Sequence, residues 1–484
     1  MLFNSIDFAI FLPIVFSLYW FVTNNNLRLQ NTLIVVSSYL FYGWWDWRFL
    51  LLIFFTSTMD FTISKRLGRT DSPKQRKALL VTSVIVDLGA LGFFKYFNFF
   101  LENFIVVFRL FGQEIHANTL NIILPVGISF YTFQSLSYTI DVYRRQLEPA
   151  KNLIDFLAFV SFFPQLVAGP IERATNLLPQ FYVKRTFEYD KAADGMRQIL
   201  WGLFKKIVIA DNCAIFANLI FNNSSEYSGS TLLLGVLFFT FQIYCDFSGY
   251  SDIAIGTARL FGFNLMRNFA YPYFSRDIAE FWRRWHISLS TWFRDYLYIP
   301  LGGSRGGKWK SIRNTFIIFI ASGFWHGANW TFIVWGALNA MYFLPLQLTN
   351  NNRKNLNIVA QEKKFPSLRE LCGMAITFSL TVFAWIFFRA ESITHAIQII
   401  SSMFSLSLFS IPCFEGRNKA YVIILLVFVF ILLEWIGRRD EYALEKIRIR
   451  IFQIDLQWVF YVLLIFMISV FMPVSATSFI YFQF

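Results

Sequence analysis

The sequence predicts an all-α protein that crosses a membrane several times. Of its 484 residues, 56% are hydrophobic and 20% aromatic, with 61 phenylalanines, and only 15% are charged. Soluble chains carry about 25% charged residues, so this composition excludes an ordinary soluble protein. The apolar residues are grouped in repeated runs, many of them near the ~20 residues that a helix needs to cross a bilayer. We expect a single membrane-embedded domain over residues 1–484 with about 10–12 transmembrane helices.

The apolar runs follow one another along the chain with short polar connections. The first, Ile6–Val22, has no Lys or Arg before it and no small-residue cleavage site after it, so we interpret it as a retained helix rather than a signal peptide. Several later runs are shorter than a bilayer crossing, and we expect them to be tilted, re-entrant or interfacial. The later runs are Asn31–Trp45, Phe49–Ser64, Ala78–Phe94, Asn98–Phe111, Leu120–Ile140, Leu153–Ala168, Gln198–Ile220, Leu232–Tyr244, Ile253–Phe263, Thr315–Leu346, Leu371–Phe388, Ala420–Ile436 and Trp458–Phe471.

The charged residues lie mainly in the connections between these runs. The 43 Lys and Arg residues against 30 Asp and Glu give a net charge of +13. In a membrane protein such an excess marks cytoplasmic loops, of which Lys65–Lys77 is a strong example. No base-stacking module accompanies these residues, so nucleic acid is not expected as a partner. The four cysteines are scattered without a C-x-x-C pair, so neither a disulfide framework nor a metal site is predicted.

Residues 280–298 form a segment whose pattern is amphipathic. Aromatic and apolar residues recur there at helical spacing, with arginines between them. This pattern is typical of a helix that lies in the membrane interface, with tryptophans at the level of the headgroups. His286 lies on this helix. Taken alone it is interpreted as an interfacial histidine, whereas a nearby second histidine would favour a chemical role.

His326 lies inside an apolar run that extends from Phe316 to Trp335. An ionisable side chain within such a run is rarely tolerated without a partner or a task, and histidine is the side chain whose proton moves near neutral pH. Trp325 and Gly327 flank it, which gives a bulky wall and space for close approach. A packed polar residue between helices is the structural alternative. We favour a chemical role for His326.

The motifs that mark a serine nucleophile or a catalytic zinc ion are missing from the sequence. It contains no G-x-S-x-G elbow, no H-E-x-x-H helix and no metal-ligand cluster, so neither a serine nucleophile nor a zinc ion is indicated. A buried histidine with polar helpers suits general-base activation of a hydroxyl that attacks an acyl donor. Acyl transfer also needs a stabilised oxyanion. Asn329, Ser322 or the indole N–H of Trp325 could supply it, and the sequence does not select among them.

The glycine-rich stretch Leu301–Lys308 fits only the first part of a phosphate-binding loop. Trp309 stands where a magnesium-binding Ser or Thr would follow, and no strand precedes the stretch, so nucleotide hydrolysis is not indicated. A flexible turn at the cytoplasmic face is the simplest interpretation. The functional alternative is that Arg305, Lys308 and Lys310 attract an anionic cosubstrate such as the diphosphate of coenzyme A.

Two carboxylates, Asp246 and Asp252, stand between apolar runs in the segment Tyr244–Asp252. Buried carboxylates must be paired or protonated. They could orient a histidine, cap a helix break, or pair with Arg259 or Arg267. Structural pairing is the outcome we expect.

Several of these segments, taken together, resemble the membrane-bound O-acyltransferase family, and most closely its alginate O-acetyltransferase branch. The resemblance runs in order over nearly the whole chain, which makes it far more specific than a single W-H-G motif. The segments that carry it are Leu124–Gln134, Phe163–Arg173, Tyr244–Asp252, Phe281–Gly303, Gly323–Gly327 and Ser478–Phe484.

The resemblance implies a ring of tilted transmembrane and re-entrant helices around a central funnel. It further implies that His326 matches the catalytic histidine of the family and His286 its second polar position. The chain would then be a multi-pass protein of the bacterial cytoplasmic (inner) membrane. It would pass acetyl groups from a cytoplasmic donor, acetyl-CoA, to a periplasmic partner protein or directly to an exported, alginate-like polysaccharide. No bound cofactor or metal is expected, and membrane lipid surrounds the helices.

Three alternatives stay open at the level of the sequence. Within the family, the chain could transfer D-alanyl groups to teichoic acid or acetyl groups to peptidoglycan, and the segment Tyr298–Gly303 favours the acetyl branch only weakly. In a different class, a lipid or glycan flippase would also be a polytopic basic membrane protein. A flippase would transport without His326, whereas an acyltransferase would be inactive without it.

Overall fold

The computed structural model describes residues 1–115, 117–446, 450–451, 454–473 and 479–480, so the C-terminal motif at 478–484 lies largely outside the described residues. The prediction of an all-α protein is confirmed. Apart from helices, the described part contains only a two-stranded antiparallel ribbon of β1 (Arg450–Ile451) and β2 (Ile454–Asp455) as regular structure. Its contacts divide the chain into two compact units.

The first unit contains residues 1–192 and 258–266. Its helix α6 is buried along nearly its whole length and begins after Gly127, whose φ of +76° favours glycine. The helices of this unit are α1 (Ile6–Ser17), α2 (Leu27–Gly43), α3 (Phe49–Arg69), α4 (Pro73–Leu91), α5 (Phe97–Leu110), α6 (Ile128–Tyr143), α7 (Leu153–Ser161) and α8 (Ala174–Leu177), with π-helical turns at Leu18–Val22 and Gly92–Tyr96 and a 3₁₀ turn at Leu178–Tyr182.

The second unit contains residues 193–257 and 267–484. Its helices are α9 (Tyr189–Leu203), α10 (Asp211–Asn222), α11 (Gly229–Leu260), α12 (Ile278–Arg284), α13 (Ile287–Phe293), α14 (Lys308–His326), α15 (Trp330–Leu348), α16 (Leu368–Arg389), α17 (Ile393–Met403), α18 (Arg417–Gly437) and α19 (Gln457–Phe471). The first residues of α9 and the last residues of α11 belong to the first unit. The π-helical turns Phe204–Ala210 and Arg294–Tyr298 and the 3₁₀ turns Ser224–Glu226, Pro272–Phe274 and Leu406–Phe409 complete the second unit.

Five helices in the described part of the chain are long and apolar enough, by length and composition, to cross a membrane. Two shorter apolar helices accompany them, at Ile6–Val22 and Gln457–Phe471. The predicted 10–12 spans, the single domain over residues 1–484 and the ring around a funnel stay predictions. The five candidate spans are Pro73–Leu110, Gly229–Leu260, Trp330–Leu348, Leu368–Arg389 and Arg417–Gly437.

The long helix α11 packs directly against α9 through glycines. A Cβ atom added to Gly202 would lie 2.6 Å from the carbonyl oxygen of Gly249, and one added to Gly249 would lie 2.8 Å from that of Gly202. Two turns further along α11, a Cβ atom added to Gly256 would clash with the carbonyl oxygen of Gly195. Small residues at such spacing let two helix backbones touch, and this contact fixes the polar side chains of α11 relative to those of α9.

Helices α14 and α15 form a hairpin with equally close backbones. A Cβ added to Gly323 would clash with the carbonyl oxygen of Phe332, and one added to Gly336 would clash with that of Phe319. At the turn, a Cβ on Gly327 would overlap the ring of Phe332. These glycines therefore set the position of His326, the last residue of α14.

The prediction of one continuous helix over residues 280–298 is wrong. The segment is broken between α12 and α13, and His286 there has a φ of +43°. The physical reason is a tertiary interaction: the N–H of Ala270 bonds to the carbonyl of Arg284 (2.9 Å), and the N–H of Ile287 bonds to the carbonyl of Asn268 (2.9 Å). These bonds replace the intrahelical ladder, and the interfacial location stays a prediction.

The glycine contact in the α14–α15 hairpin generates a stability prediction. We expect Gly323→Ala to lower the stability by about 1–3 kcal/mol, since the added methyl group overpacks the helix contact. Gly89→Ala is the matched control, because a Cβ at Gly89 meets nothing within 4 Å. Thermal unfolding of the purified protein in detergent measures both, and equal midpoints for the two variants would contradict the close packing.

Candidate active site

His326 is 3% exposed and lies in an aromatic chamber of the second unit. The centroid of its ring is 5.0 Å from that of Trp325, 5.2 Å from that of Trp335 and 5.4 Å from that of Phe388. Three helices supply these rings, since Trp325 is on α14, Trp335 on α15 and Phe388 on α16. The chamber is therefore built largely of apolar rings around an imidazole that can exchange a proton.

His286 lies beside His326 although 40 positions separate them in the chain. Their ring centroids are 6.4 Å apart, and His286 is fully buried. The edge of Phe247 packs against His286 at 4.6 Å. The structure thus brings together the two histidines that the sequence singled out.

The side-chain amide of Asn268 fixes the orientation of His286. Its Oδ1 atom accepts from the backbone N–H of Ser288 (3.3 Å) and from the Ser288 hydroxyl (2.9 Å), while its Nδ2 donates to Ser251 Oγ (3.1 Å). Since a backbone N–H can only donate, the amide oxygen must face this side. His286 Nδ1 lies 3.1 Å from the same oxygen, so it must carry the hydrogen. The lone pair of the neutral imidazole is then on Nε2.

Burial also keeps His286 uncharged. It lowers the pKa of His286, which lies outside the five candidate spans, to about 3. The cause is desolvation, since removing the ring from water disfavours the imidazolium. His286 is therefore a neutral imidazole at physiological pH, with its tautomer set by Asn268.

Behind the histidines, the carboxylates of α11 are paired, as expected, but with lysines rather than with Arg259 or Arg267. Lys205 Nζ lies 2.5 Å from Asp252 Oδ2 and 3.0 Å from Ser248 Oγ. Lys206 Nζ lies 2.8 Å from Asp246 Oδ1, and Asp211 pairs with it at 2.7 Å.

Sequence reasoning missed these lysines, although a signal was present. Lys205 and Lys206 stand in the middle of the apolar run Gln198–Ile220. Ionisable residues within apolar runs pair with one another or mark functional sites, and that rule applies to lysines as it does to His326. The pairing is structural in the sense that it joins α11 to the turn Phe204–Ala210.

The glycine-rich loop lies at the opposite end of α14 from the histidines. Arg305 and Lys308 are both exposed there, and Gly302, Gly303, Gly306 and Gly307 all have positive φ. The 19 residues of α14 separate Lys308 from His326 by about 27 Å at ~1.5 Å per residue. The structure therefore does not bring the predicted phosphate-binding residues next to the predicted catalytic histidines.

The three residues proposed to stabilise an oxyanion differ in their contacts. The amide of Asn329 is engaged at both ends, since Oδ1 accepts from the N–H of Thr331 (3.0 Å) and Nδ2 donates to the carbonyl of Glu391 (2.9 Å). It is the N-cap of α15 and has a structural role. Ser322 lies one turn before His326 and is buried, and Trp325 is buried beside it. Within the described part of the chain, no three His, Cys, Asp or Glu residues are grouped to hold a metal ion.

Comparison with known proteins gives a consistent picture. Residues 144–388 match the model of the membrane-bound O-acyltransferase family. The probable alginate O-acetylase AlgI of Pseudomonas aeruginosa is 41% identical over 445 residues, which cover 91% of this chain and 82% of that protein. The peptidoglycan O-acetyltransferase of Helicobacter pylori is 34% identical over 84% of this chain and 80% of its own. The teichoic acid D-alanyltransferase of Streptococcus thermophilus is 28% identical over 60% of this chain and 75% of that protein.

The amide network generates a prediction for Asn268. We expect Asn268→Ala to destabilise the protein by about 1–3 kcal/mol, because the buried N–H of Ser288 and the ring N–H of His286 lose their acceptor. Asn223→Ala is the control, since the Asn223 amide bonds locally to the carbonyl of Leu219, in the helix that Asn223 follows (2.8 Å). Thermal unfolding in detergent provides the measurement. A loss no larger than that of the control would contradict the assigned network.

The buried ion pair generates a second prediction. Lys205→Met leaves Asp252 buried without its cation, and we expect it to cost about 3–5 kcal/mol. The double variant Lys205→Met/Asp252→Asn should be more stable than this single variant, since no charge is left unpaired. Lys191→Met is the control, because the pair that Lys191 forms with Glu188 is half exposed and is worth at most about 1 kcal/mol. Equal losses for the two lysines would overturn this interpretation.

Proposed function

The chain belongs to the membrane-bound O-acyltransferase family, and from that premise we propose that this multi-pass membrane acyltransferase O-acetylates an exported, alginate-like polysaccharide. In this proposal the acetyl group comes from a cytoplasmic donor, acetyl-CoA, and crosses the membrane through the protein. The observation that carries the proposal is the meeting of His286 and His326 in an aromatic chamber, 6.4 Å apart. That separation lets both imidazoles contact one small substrate group.

His326 acts as the general base in this proposal. The imidazole accepts the proton of the acceptor hydroxyl as the hydroxyl oxygen forms its bond to the acetyl carbonyl carbon. The carbon–sulfur bond of the thioester then breaks, and the proton passes from the imidazolium to the leaving sulfur. The products are an acetyl ester and a free thiol. The same chemistry applies if the acceptor is a group on a partner protein instead of the polysaccharide.

His286 assists as a neutral imidazole. With its hydrogen on Nδ1 and directed to Asn268 (3.1 Å), it presents the lone pair of Nε2 as a hydrogen-bond acceptor. An acceptor of this kind can orient a substrate hydroxyl before His326 takes its proton. Holding the reactants in one geometry is a large part of the rate gain in acyl transfer.

Arg305 and Lys308 bind the phosphates of coenzyme A in this proposal. Both are exposed on a glycine-rich loop, which suits a charged ligand that arrives from water. Because α14 separates them from His326, the donor must lie extended along that helix. The thioester end would then be buried while the diphosphate end stays in solvent.

The location and partners follow from the same proposal. The protein would be in the cytoplasmic (inner) membrane of a bacterium, surrounded by lipid, with a periplasmic acetyltransferase as its partner protein. The acceptor is proposed on the basis of identity, since the alginate O-acetylase is 41% identical to this chain and the D-alanyltransferase only 28%. Peptidoglycan is the second candidate acceptor, because the peptidoglycan O-acetyltransferase is 34% identical.

The general base is tested by substitution. We expect His326→Gln, which keeps the polar volume, to lower acetyl transfer from labelled acetyl-CoA at least about 100-fold in membranes at matched expression. His395→Gln is the control, because His395 lies in the first turn of α17 with Ser224 and Glu391 as partners. Its transfer rate should equal that of the wild type. Undiminished transfer by His326→Gln would show that His326 is structural, and transport without transfer would favour a flippase.

A further inference from the structure

A cavity of about 370 Å³ lies wholly within the first unit, between the residues that follow α8 and those at the end of α11. This volume is in the range of sites for small ligands. Four cationic side chains line the cavity against one carboxylate, Glu188. Trp20, Phe187 and Leu260 add apolar walls. The four cations are Lys184, Arg185, Lys191 and Arg259.

The walls of this cavity are held by hydrogen bonds. The side chain of Gln180 bonds twice to the backbone of Asn264, through Oε1 to the N–H (2.8 Å) and through Nε2 to the carbonyl (3.0 Å). The indole N–H of Trp20 donates to the carbonyl of Leu260 (2.9 Å), and its ring packs at 5.5 Å against that of Phe187. The cavity is therefore preformed rather than a gap between loose loops.

Arg185 is the buried cation of the cavity. It is 5% exposed, and its Nη2 donates to the side-chain oxygens of Asn31 (2.6 Å) and Gln30 (3.2 Å). The carboxylate of Asp155 contacts the other end of the Asn31 amide (2.8 Å) rather than Arg185 itself. Among the described residues, no ion pair includes Arg185, and its Nη1 donates to the carbonyl of Gln180 (3.1 Å). A buried guanidinium without a carboxylate partner gives the wall of the cavity a positive charge, which favours an anionic ligand.

The other charged residues that line the cavity are nearer to solvent than Arg185. Glu188 pairs with Lys191 at 2.8 Å, and both side chains are half exposed. Lys184 is exposed and Arg259 partly so, which places two further cations at the cavity beside Arg185. Lysine and arginine together are the usual side chains for phosphate in proteins.

We propose that this cavity binds a phosphate or diphosphate group that carries an apolar or extended tail. Two sources share that chemistry, namely the headgroup of an anionic phospholipid and the diphosphate of a soluble acyl donor such as coenzyme A. Neither Arg305 nor Lys308 is among the residues that line the cavity. Binding can be measured without acyl transfer, so the inference does not rest on the proposed function.

Pyrophosphate is the first probe, with the full chain in nanodiscs of neutral lipid. We expect Lys184→Gln and Arg259→Gln each to weaken pyrophosphate binding about tenfold, since each removes a charge-assisted contact. Both residues are more exposed than Arg185, so folding should be preserved, and unchanged thermal unfolding verifies this. Lys354→Gln is the control, because Lys354 is an exposed lysine outside the cavity, and its affinity should equal that of the wild type.

Two further arms identify the source of the phosphate. Displacement of pyrophosphate by coenzyme A, lost in Lys184→Gln, would assign the site to a soluble donor. If phosphatidylglycerol in the nanodisc instead abolishes pyrophosphate binding and co-purifies less with Lys184→Gln, the occupant is a lipid headgroup. Equal pyrophosphate affinity in all variants, or no binding in neutral nanodiscs together with equal lipid retention, would overturn the proposal.

Discussion

The candidate site depends on one side-chain amide, that of Asn268. Its oxygen faces the hydroxyl and N–H of Ser288 and the ring of His286 at once. A left-handed conformation such as that of His286 costs about 1–3 kcal/mol. Three hydrogen bonds of roughly 0.5–1.5 kcal/mol each are enough to offset it. Without Asn268 this cost would no longer be offset, and a continuous helix would be the more stable conformation. His286 would then leave the position beside His326.

The buried charges of α11 extend this arrangement. Ser251 accepts from Asn268, and the next residue, Asp252, is paired with Lys205 and receives the amide N–H of Gln198 (2.9 Å). Burying such a pair stabilises a fold little, because desolvation consumes most of the Coulomb attraction. What it supplies is alignment. With the α9 and α11 backbones in contact, a shift of one residue would leave both charges unpaired, so the pair fixes the register of α11 and with it Ser251.

Much of this site could be predicted from the sequence because the signals are local. An imidazole within an apolar run identifies His326, and a carboxylate in such a run must find a partner, which was expected of Asp252. The sequence does not show which residue, distant in the chain, is the hydrogen-bond or ion-pair partner of each of these groups. The break at His286 comes from hydrogen bonds to Asn268 and Ala270, 14 to 19 residues earlier in the chain. The lysine partners were overlooked because arginines lay closer to the carboxylates in sequence.

In the proposed mechanism, the aromatic chamber would favour transfer of an acyl group over its hydrolysis. Water is the competing acceptor in every acyl transfer, and an enzyme that excludes it protects the acyl donor. The rings of Trp335 and Phe388 stand within 5.4 Å of the His326 ring and present no acceptor oxygen to hold water. Helix packing at Gly323 and Gly336 brings the Trp335 ring close, because a larger residue would push α15 away. The glycines of the α14–α15 hairpin therefore contribute to the proposed chemistry by keeping the histidine dry.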